Sequence, residues 1–134
     1  MTDKELMELA VKARENAYAP YSNYKVGAAL LAKSGRVYLG CNVENASYTP
    51  TNCAERTAVF KAVSEGEREF CAIAVCGGAG EISESCTPCG VCRQVLAEFC
   101  DGDFRIITGK PEKLSLYTLS ELLPESFGKN NLIG

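Results

Sequence analysis

The chain contains no histidine. That absence removes Ser-His-Asp and Cys-His nucleophilic systems, and with them the commonest metal ligand and the commonest general base. Any bound metal must be held by cysteine or carboxylate, and a proton carrier working near neutral pH falls to a Glu or Asp of raised pKa. Basic surface is also lacking. With 14 Lys and Arg against 17 Asp and Glu, the net charge is −3, and the cations are scattered rather than massed as phosphate recognition requires. Long apolar runs are missing too: none approaches the roughly eighteen residues of a membrane span. The opening Met1-Thr2-Asp3-Lys4-Glu5 has no apolar core of the signal-peptide kind. The expectation is a cytoplasmic protein that binds neither nucleic acid nor membrane.

What is present fits one folded domain over residues 1–134. Hydrophobic residues make up 46% of the 134 and charged residues 23%, enough for a core and too apolar for disorder. Eight cysteines at 41, 53, 71, 76, 86, 89, 92 and 100 point, in a reducing compartment, to metal or to buried thiols.

Thr2-Asp3-Lys4-Glu5 reads as a capping box for an amphipathic helix over 3–17. Residues 25–32 and 36–42 read as a hairpin turning at Lys33-Ser34-Gly35. Gly27 and Gly40, inside these strands, mark bulges or close approaches. A polar loop covers 43–52, and a helix runs from about Cys53 to Glu65, stopped by Gly66. Residues 70–76 form a strand buried on both faces. Thr87 and Pro88 open a third helix as N-cap and first residue, with Val91, Val95, Leu96 and Phe99 on its buried side. Short strands at 104–108 and 114–117 and a helical turn at 119–123 complete the order α-β-β-α-β-α-β-β-α. The fold class is α/β, a three-layer sandwich whose mixed five-stranded sheet is flanked by helices. Cys41, Cys71, Cys76 and Cys100 fall in these elements as small core residues.

Cys53, Glu55, Cys89 and Cys92 carry the chemistry. Cys89 and Cys92, three apart on a helix, share a face, and Cys53 also stands at a helix start. Two helix N-termini favour thiolate over thiol. Three cysteine ligands with one open position suit a catalytic Zn²⁺ rather than a structural one. Three thiolates leave a zinc site at −1, so Arg56 is expected to donate to a ligand sulfur and offset the excess. Glu55, two residues beyond Cys53, is placed to carry protons beside the ion without ligating it. Other readings of the cysteines explain less. An iron–sulfur run expects a further cysteine followed by proline. A redox Cys-x-x-Cys leaves Cys53-Ala54-Glu55 unexplained, and a structural zinc site needs Cys86 as fourth ligand.

Read together, Ala19-Pro20-Tyr21-Ser22, Val26-Gly27-Ala28-Ala29-Leu30, Gly40 to Asn45, Cys53-Ala54-Glu55-Arg56-Thr57-Ala58, Pro88 to Gln94 and Leu122-Leu123-Pro124 resemble the small homotetrameric, zinc-dependent cytidine deaminases of nucleoside salvage. The resemblance implies hydrolysis of cytidine or 2′-deoxycytidine by a zinc-activated water attacking C4, with Glu55 as proton shuttle. It implies that Ala54 and Thr87 meet the base through their backbones, that Asn42 and Glu44 hold the ribose 3′-hydroxyl, and that Tyr24 packs on the nucleoside. From a neighbouring subunit, Phe127 stacks on the base, and Ala46 and Tyr48 approach the 5′-hydroxyl. A deaminase of a cytosine-bearing antibiotic or another nucleoside analogue is the alternative within this class; the Asn42 and Glu44 pair argues for an ordinary ribose. Two positions depart from the pattern: residue 24, commonly Phe, is Tyr, and Cys86-Thr87-Pro88 adds a cysteine before the metal loop.

Overall fold

In the computed structural model, which describes residues 1–133, Thr2 and Glu5 close the expected capping box with bonds of 3.1 and 2.8 Å. Helix α1 (Asp3–Arg14) follows. It ends at Arg14 rather than Ala17, because Asn16 and Ala17 tighten onto the carbonyls of Ala13 and Arg14 instead of continuing the helix. Strand β1 (Lys25–Ala32) matches its expected span, and β2 (Val37–Cys41) returns antiparallel to it. Helix α2 (Ala54–Ser64), strand β3 (Phe70–Gly78), helix α3 (Gly90–Phe99), strands β4 (Arg105–Lys110) and β5 (Lys113–Thr118), and the short helix α4 (Leu119–Leu122) complete the order. A second capping box, from Thr118 to Glu121, opens α4.

The sheet runs β2-β1-β3-β4-β5; β3 and β4 are parallel and the other pairs antiparallel. Alternate residues of β3 feed two cores. Ala72, Ala74 and Cys76 face α1 with its Leu6, Met7 and Ala10. Ile73 and Val75 face Ala58, Val59 and Ala62 of α2 and Leu96 of α3. This is the three-layer sandwich. Cys71 is the exception among the strand cysteines and is exposed. The β1–β3 register passes from Leu31↔Ala72 to Ala32↔Phe70, so Cys71 is the residue left over at a bulge.

Both strand glycines mark close approaches. A Cβ on Gly27 would come within 2.5 Å of the Arg14 amide nitrogen of α1, and one on Gly40 within 2.6 Å of the Ala58 nitrogen of α2. The helices therefore lie almost on the backbone of the sheet.

Strand direction positions the site. β2 and β3 are each antiparallel to β1, so they point the same way. α2 follows the end of β2 and α3 follows the end of β3, which brings both helix N-termini to the same sheet edge, beyond the carboxyl ends of the strands. α3 begins two residues later than expected. The Arg93 N–H bonds the Cys89 carbonyl at 2.9 Å, making Cys89 the N-cap in place of Thr87. The rotation that follows turns Cys92 and Leu96 inward and leaves Val91 exposed, not on the buried side. Among the described residues, no helix is long and apolar enough to cross a membrane.

Candidate metal centre and active site

Cys53 and Cys89 are the N-caps of α2 and α3, both in extended conformation, and neither thiol caps its own helix. The sulfurs are free to face one another. Cys53 Sγ lies 3.8 Å from Cys89 Sγ, and Cys89 Sγ lies 3.5 Å from Cys92 Sγ. A tetrahedral ion with Zn–S bonds of about 2.3 Å sets its sulfurs about 3.8 Å apart, so the three thiols fit zinc. Among the described residues, they form the one cluster of three or more such ligand groups, and Cys86 is not in it. A structural site would need a fourth protein ligand; three leave a position for water. Cys92 is buried, Cys53 half-buried and Cys89 exposed, so the centre opens toward one side.

Arg56 Nη2 donates to Cys53 Sγ at 3.2 Å, the contact expected from the charge count. The Cys53 pKa falls to about 5, drawn down by hydrogen bonds from the Cys92 thiol and the Arg56 guanidinium. The Cys92 thiol is pushed up by the same hydrogen bond to Cys53 and by burial. Metal binding to these thiols releases their protons. Arg56 Nε is buried without a partner.

Glu55, in the first turn of α2, is 4% exposed. Burial raises its pKa to about 7, and the negative charge of Cys53 adds to that rise. The carboxyl can therefore hold or release a proton near neutrality.

Asn42 and Glu44 are fixed by different means. Asn42 is buried; its Oδ1 accepts from the Val26 N–H at 2.9 Å and its Nδ2 donates to the Tyr24 carbonyl at 2.8 Å. Glu44 Oε1 accepts from the Tyr21 and Ser22 N–H groups at 3.0 and 3.1 Å, while the Ser22 hydroxyl donates to Oε2. The Ser22 hydroxyl bond and the two backbone bonds hold the Glu44 carboxyl below its usual pKa. Ala19-Pro20-Tyr21-Ser22 is thus a clamp for Glu44. Beside it, Tyr21, Ser22, Glu44, Tyr48 and Thr51 line an open cavity of about 320 Å³.

Ala54 is fully buried at the first position of α2, where its N–H has no intrahelical acceptor. Thr87 lies in the loop before α3, its hydroxyl accepting from Arg93 Nη2 at 3.3 Å. Ala46 and Tyr48 lie on the exposed 43–52 loop, with the Tyr48 ring edge-on to Tyr21 at 6.3 Å. Phe127 is 60% exposed, its carbonyl held by Gln94 Nε2 at 2.8 Å. The Tyr24 ring and the Cys86 sulfur both stand over Gly77.

Three supporting residues carry no role in the motif reading. Arg93 bonds the carbonyls of Pro88 and Leu122, both at 2.7 Å, and so ties the metal loop to α4. Thr57 Oγ1 donates to the Cys41 carbonyl at 3.0 Å, tying α2 to the end of β2. Ser22 holds Glu44. Each lies within a motif string, which was the available signal; their bonding partners are set by tertiary structure.

The model of the cytidine and deoxycytidylate deaminase zinc-binding region matches residues 1–108. A cytidine deaminase of Sporosarcina psychrophila is 49% identical over 133 residues, covering 98% of this chain and 96% of its own. Another, from Halalkalibacterium halodurans, is 51% identical over 128 residues, 95% of each chain. The crystal structure of cytidine deaminase from Burkholderia pseudomallei superposes with a TM-score of 0.87 at 48% identity, covering 95% of this chain and all of that one.

Proposed function

This chain belongs to the cytidine and deoxycytidylate deaminase family, and we propose that it hydrolyses cytidine and 2′-deoxycytidine to uridine and 2′-deoxyuridine with release of ammonia. The observation that carries this reading is the open cluster of Cys53, Cys89 and Cys92 beside the buried, proton-holding Glu55. Zinc held by the three thiolates supplies a Lewis acid that makes water nucleophilic at neutral pH. Glu55 takes a proton from the attacking water, delivers it to N3 of the ring, and protonates the leaving amine at C4. Water oxygen replaces nitrogen and no redox change occurs.

The remaining residues bind and orient. The free N–H of Ala54 donates to the base carbonyl, and the Thr87 carbonyl accepts from the exocyclic amine. Asn42 and Glu44 hold the ribose 3′-hydroxyl; Glu44 is kept ionised by Ser22 and so remains an acceptor. Tyr24 forms a wall against the nucleoside. In a homotetramer, a neighbouring subunit brings Phe127 onto the base and Ala46 and Tyr48 toward the 5′-hydroxyl. The exposure of Phe127, Tyr48, Leu116 and Val91 supplies apolar surface for such contacts. The enzyme works in the cytoplasm, in pyrimidine salvage, on free nucleosides.

Absorbance loss on cytidine, 2′-deoxycytidine and free cytosine, with the native chain beside Glu55→Gln, tests this. Turnover of both nucleosides by the native chain alone is expected; no ammonia from either nucleoside overturns it.

A further inference from the structure

We infer that Cys86 is a positioning residue for Tyr24, and that thiol and phenol act as one unit in nucleoside binding. This rests on the reading of Tyr24 as a wall of the nucleoside site. The starting point is Gly77, near the end of β3. Its φ is not among the positive values, so nothing in its backbone requires glycine. Space does. A Cβ there would stand 2.8 Å from Cys86 Sγ, 3.0 Å from Tyr24 Cε1 and 3.0 Å from Val26 Cγ2. Three side chains converge over a bare stretch of backbone on the α2 and α3 face of the sheet, where Cys86 and Val26 pack against the core.

Tyr24 is held at both ends by this arrangement. Its N–H donates to Ser22 Oγ at 3.0 Å, and its carbonyl accepts from Asn42 Nδ2 at 2.8 Å. Those partners belong to the set that fixes Glu44 and the strand edge. At the other end, the Cys86 sulfur and the ring edge at Cε1 stand over the same point of Gly77, which sets the thiol beside the ring. Cys86 is itself carried on a pinned loop, because the Ser83 N–H bonds the Gly77 carbonyl at 2.8 Å. Cys86 packs on the same core as α2, and it stands outside the cluster of zinc ligands. A tyrosine at 24 brings a hydroxyl that needs a partner when half-buried, and Cys86 is the polar side chain that stands beside the ring over Gly77.

Steady-state kinetics and zinc content of Cys86→Ala, Cys86→Ser, Tyr24→Phe, Tyr24→Ala and the Cys86→Ala/Tyr24→Phe pair test the inference. Loss of the thiol beside the ring predicts that Cys86→Ala raises KM for cytidine roughly three- to tenfold, with kcat changed less than about twofold. Cys86→Ser restores KM, zinc stays stoichiometric throughout, and Cys86→Ala adds nothing in the Tyr24→Phe background. Native KM in Cys86→Ala, additive effects in the pair, or zinc loss in Cys86→Ala overturns the inference. A raised KM in Tyr24→Ala with native KM in Cys86→Ala overturns it alone; native KM in Tyr24→Ala overturns the nucleoside-wall reading as well.

Discussion

Cys53 and Cys89 stand with their sulfurs 3.8 Å apart, and each is the N-cap of a different helix. The pairing follows from two strands of common direction, β2 and β3, each handing the chain to a helix at the same edge. Two sets of unpaired N–H groups then face one point, and anionic sulfur is favoured there. Cys92, one turn into α3, completes the set. On this geometry Cys53→Ser should lose zinc, while Cys86→Ser keeps one zinc per chain. Metal analysis after dialysis checks it; the reverse result would replace the ligand set.

Arg56 donates to Cys53 Sγ at 3.2 Å, a bond that would offset part of the negative charge of three thiolates. Replacing it with alanine removes the bond and leaves the sulfur's charge uncompensated in a half-buried site. Zinc affinity or activity should fall about 10- to 100-fold, as for other groups that support a metal ligand. Competition with a chelator measures the first and initial rates the second. Native values for both would show that the helix termini alone suffice.

Much of this centre was legible in the chain itself. Without histidine, a Glu or Asp of raised pKa was expected, and Glu55 is buried with its pKa raised to about 7; the Cys53-Ala54-Glu55 and Cys89-x-x-Cys92 spacings put the cysteines on helix starts, where they cluster. Strand β1 was legible to the residue because small apolar residues run between a turn and a polar loop. The start of α3 was not: proline at a first helical position is a sound local rule, yet Arg93 draws the Thr87-Pro88 segment toward α4 and moves the cap to Cys89. Cys71 was misplaced because a bulge is a relation between two strands and leaves no trace in one. The clamp of Ser22 on Glu44 was hidden for the same reason.

Gly40 gives a stability prediction with a consequence at the site. A Cβ would press on the Ala58 nitrogen at 2.6 Å, which is backbone and cannot rotate away. Gly40→Ala should cost about 1–3 kcal/mol by overpacking, read from urea unfolding. Because the displaced helix carries Cys53, Glu55 and Arg56, activity should fall along with stability. An active, equally stable variant would mean that α2 can lift off the sheet without moving its N-terminus.

Alkaline pH should destabilise the fold through two thiols held neutral mainly by burial. Burial pushes Cys76 up to about 11 and Cys100 up to about 12, from an ordinary value of 9.0. Raised folded-state values mean that the stabilising neutral form is fully present below the unfolded pKa and is lost as pH climbs through the folded ones. The window therefore opens near pH 9 and extends to about 12. A Cys76→Ala/Cys100→Ala chain should start less stable at neutral pH, yet lose stability less steeply between about pH 9 and 11. Parallel slopes in the two chains would assign the alkaline loss to other groups.

Phe127 is 60% exposed, with its backbone anchored by Gln94, so its ring is presented outward at a fixed place. If that ring completes a neighbour's site, the two halves of one active centre lie on different chains. Phe127→Ala should then be impaired because its neighbours lack the ring, and Glu55→Gln should be inactive by about 10²–10⁴ because its own proton carrier is gone. Refolded together, the two chains form mixed oligomers in which some sites pair an intact Glu55 from one chain with an intact Phe127 from the other. Activity above the sum of the separate variants is expected, rising and falling with the mixing ratio. Strictly additive activity would place Phe127 outside its neighbour's site, whatever the size of the assembly.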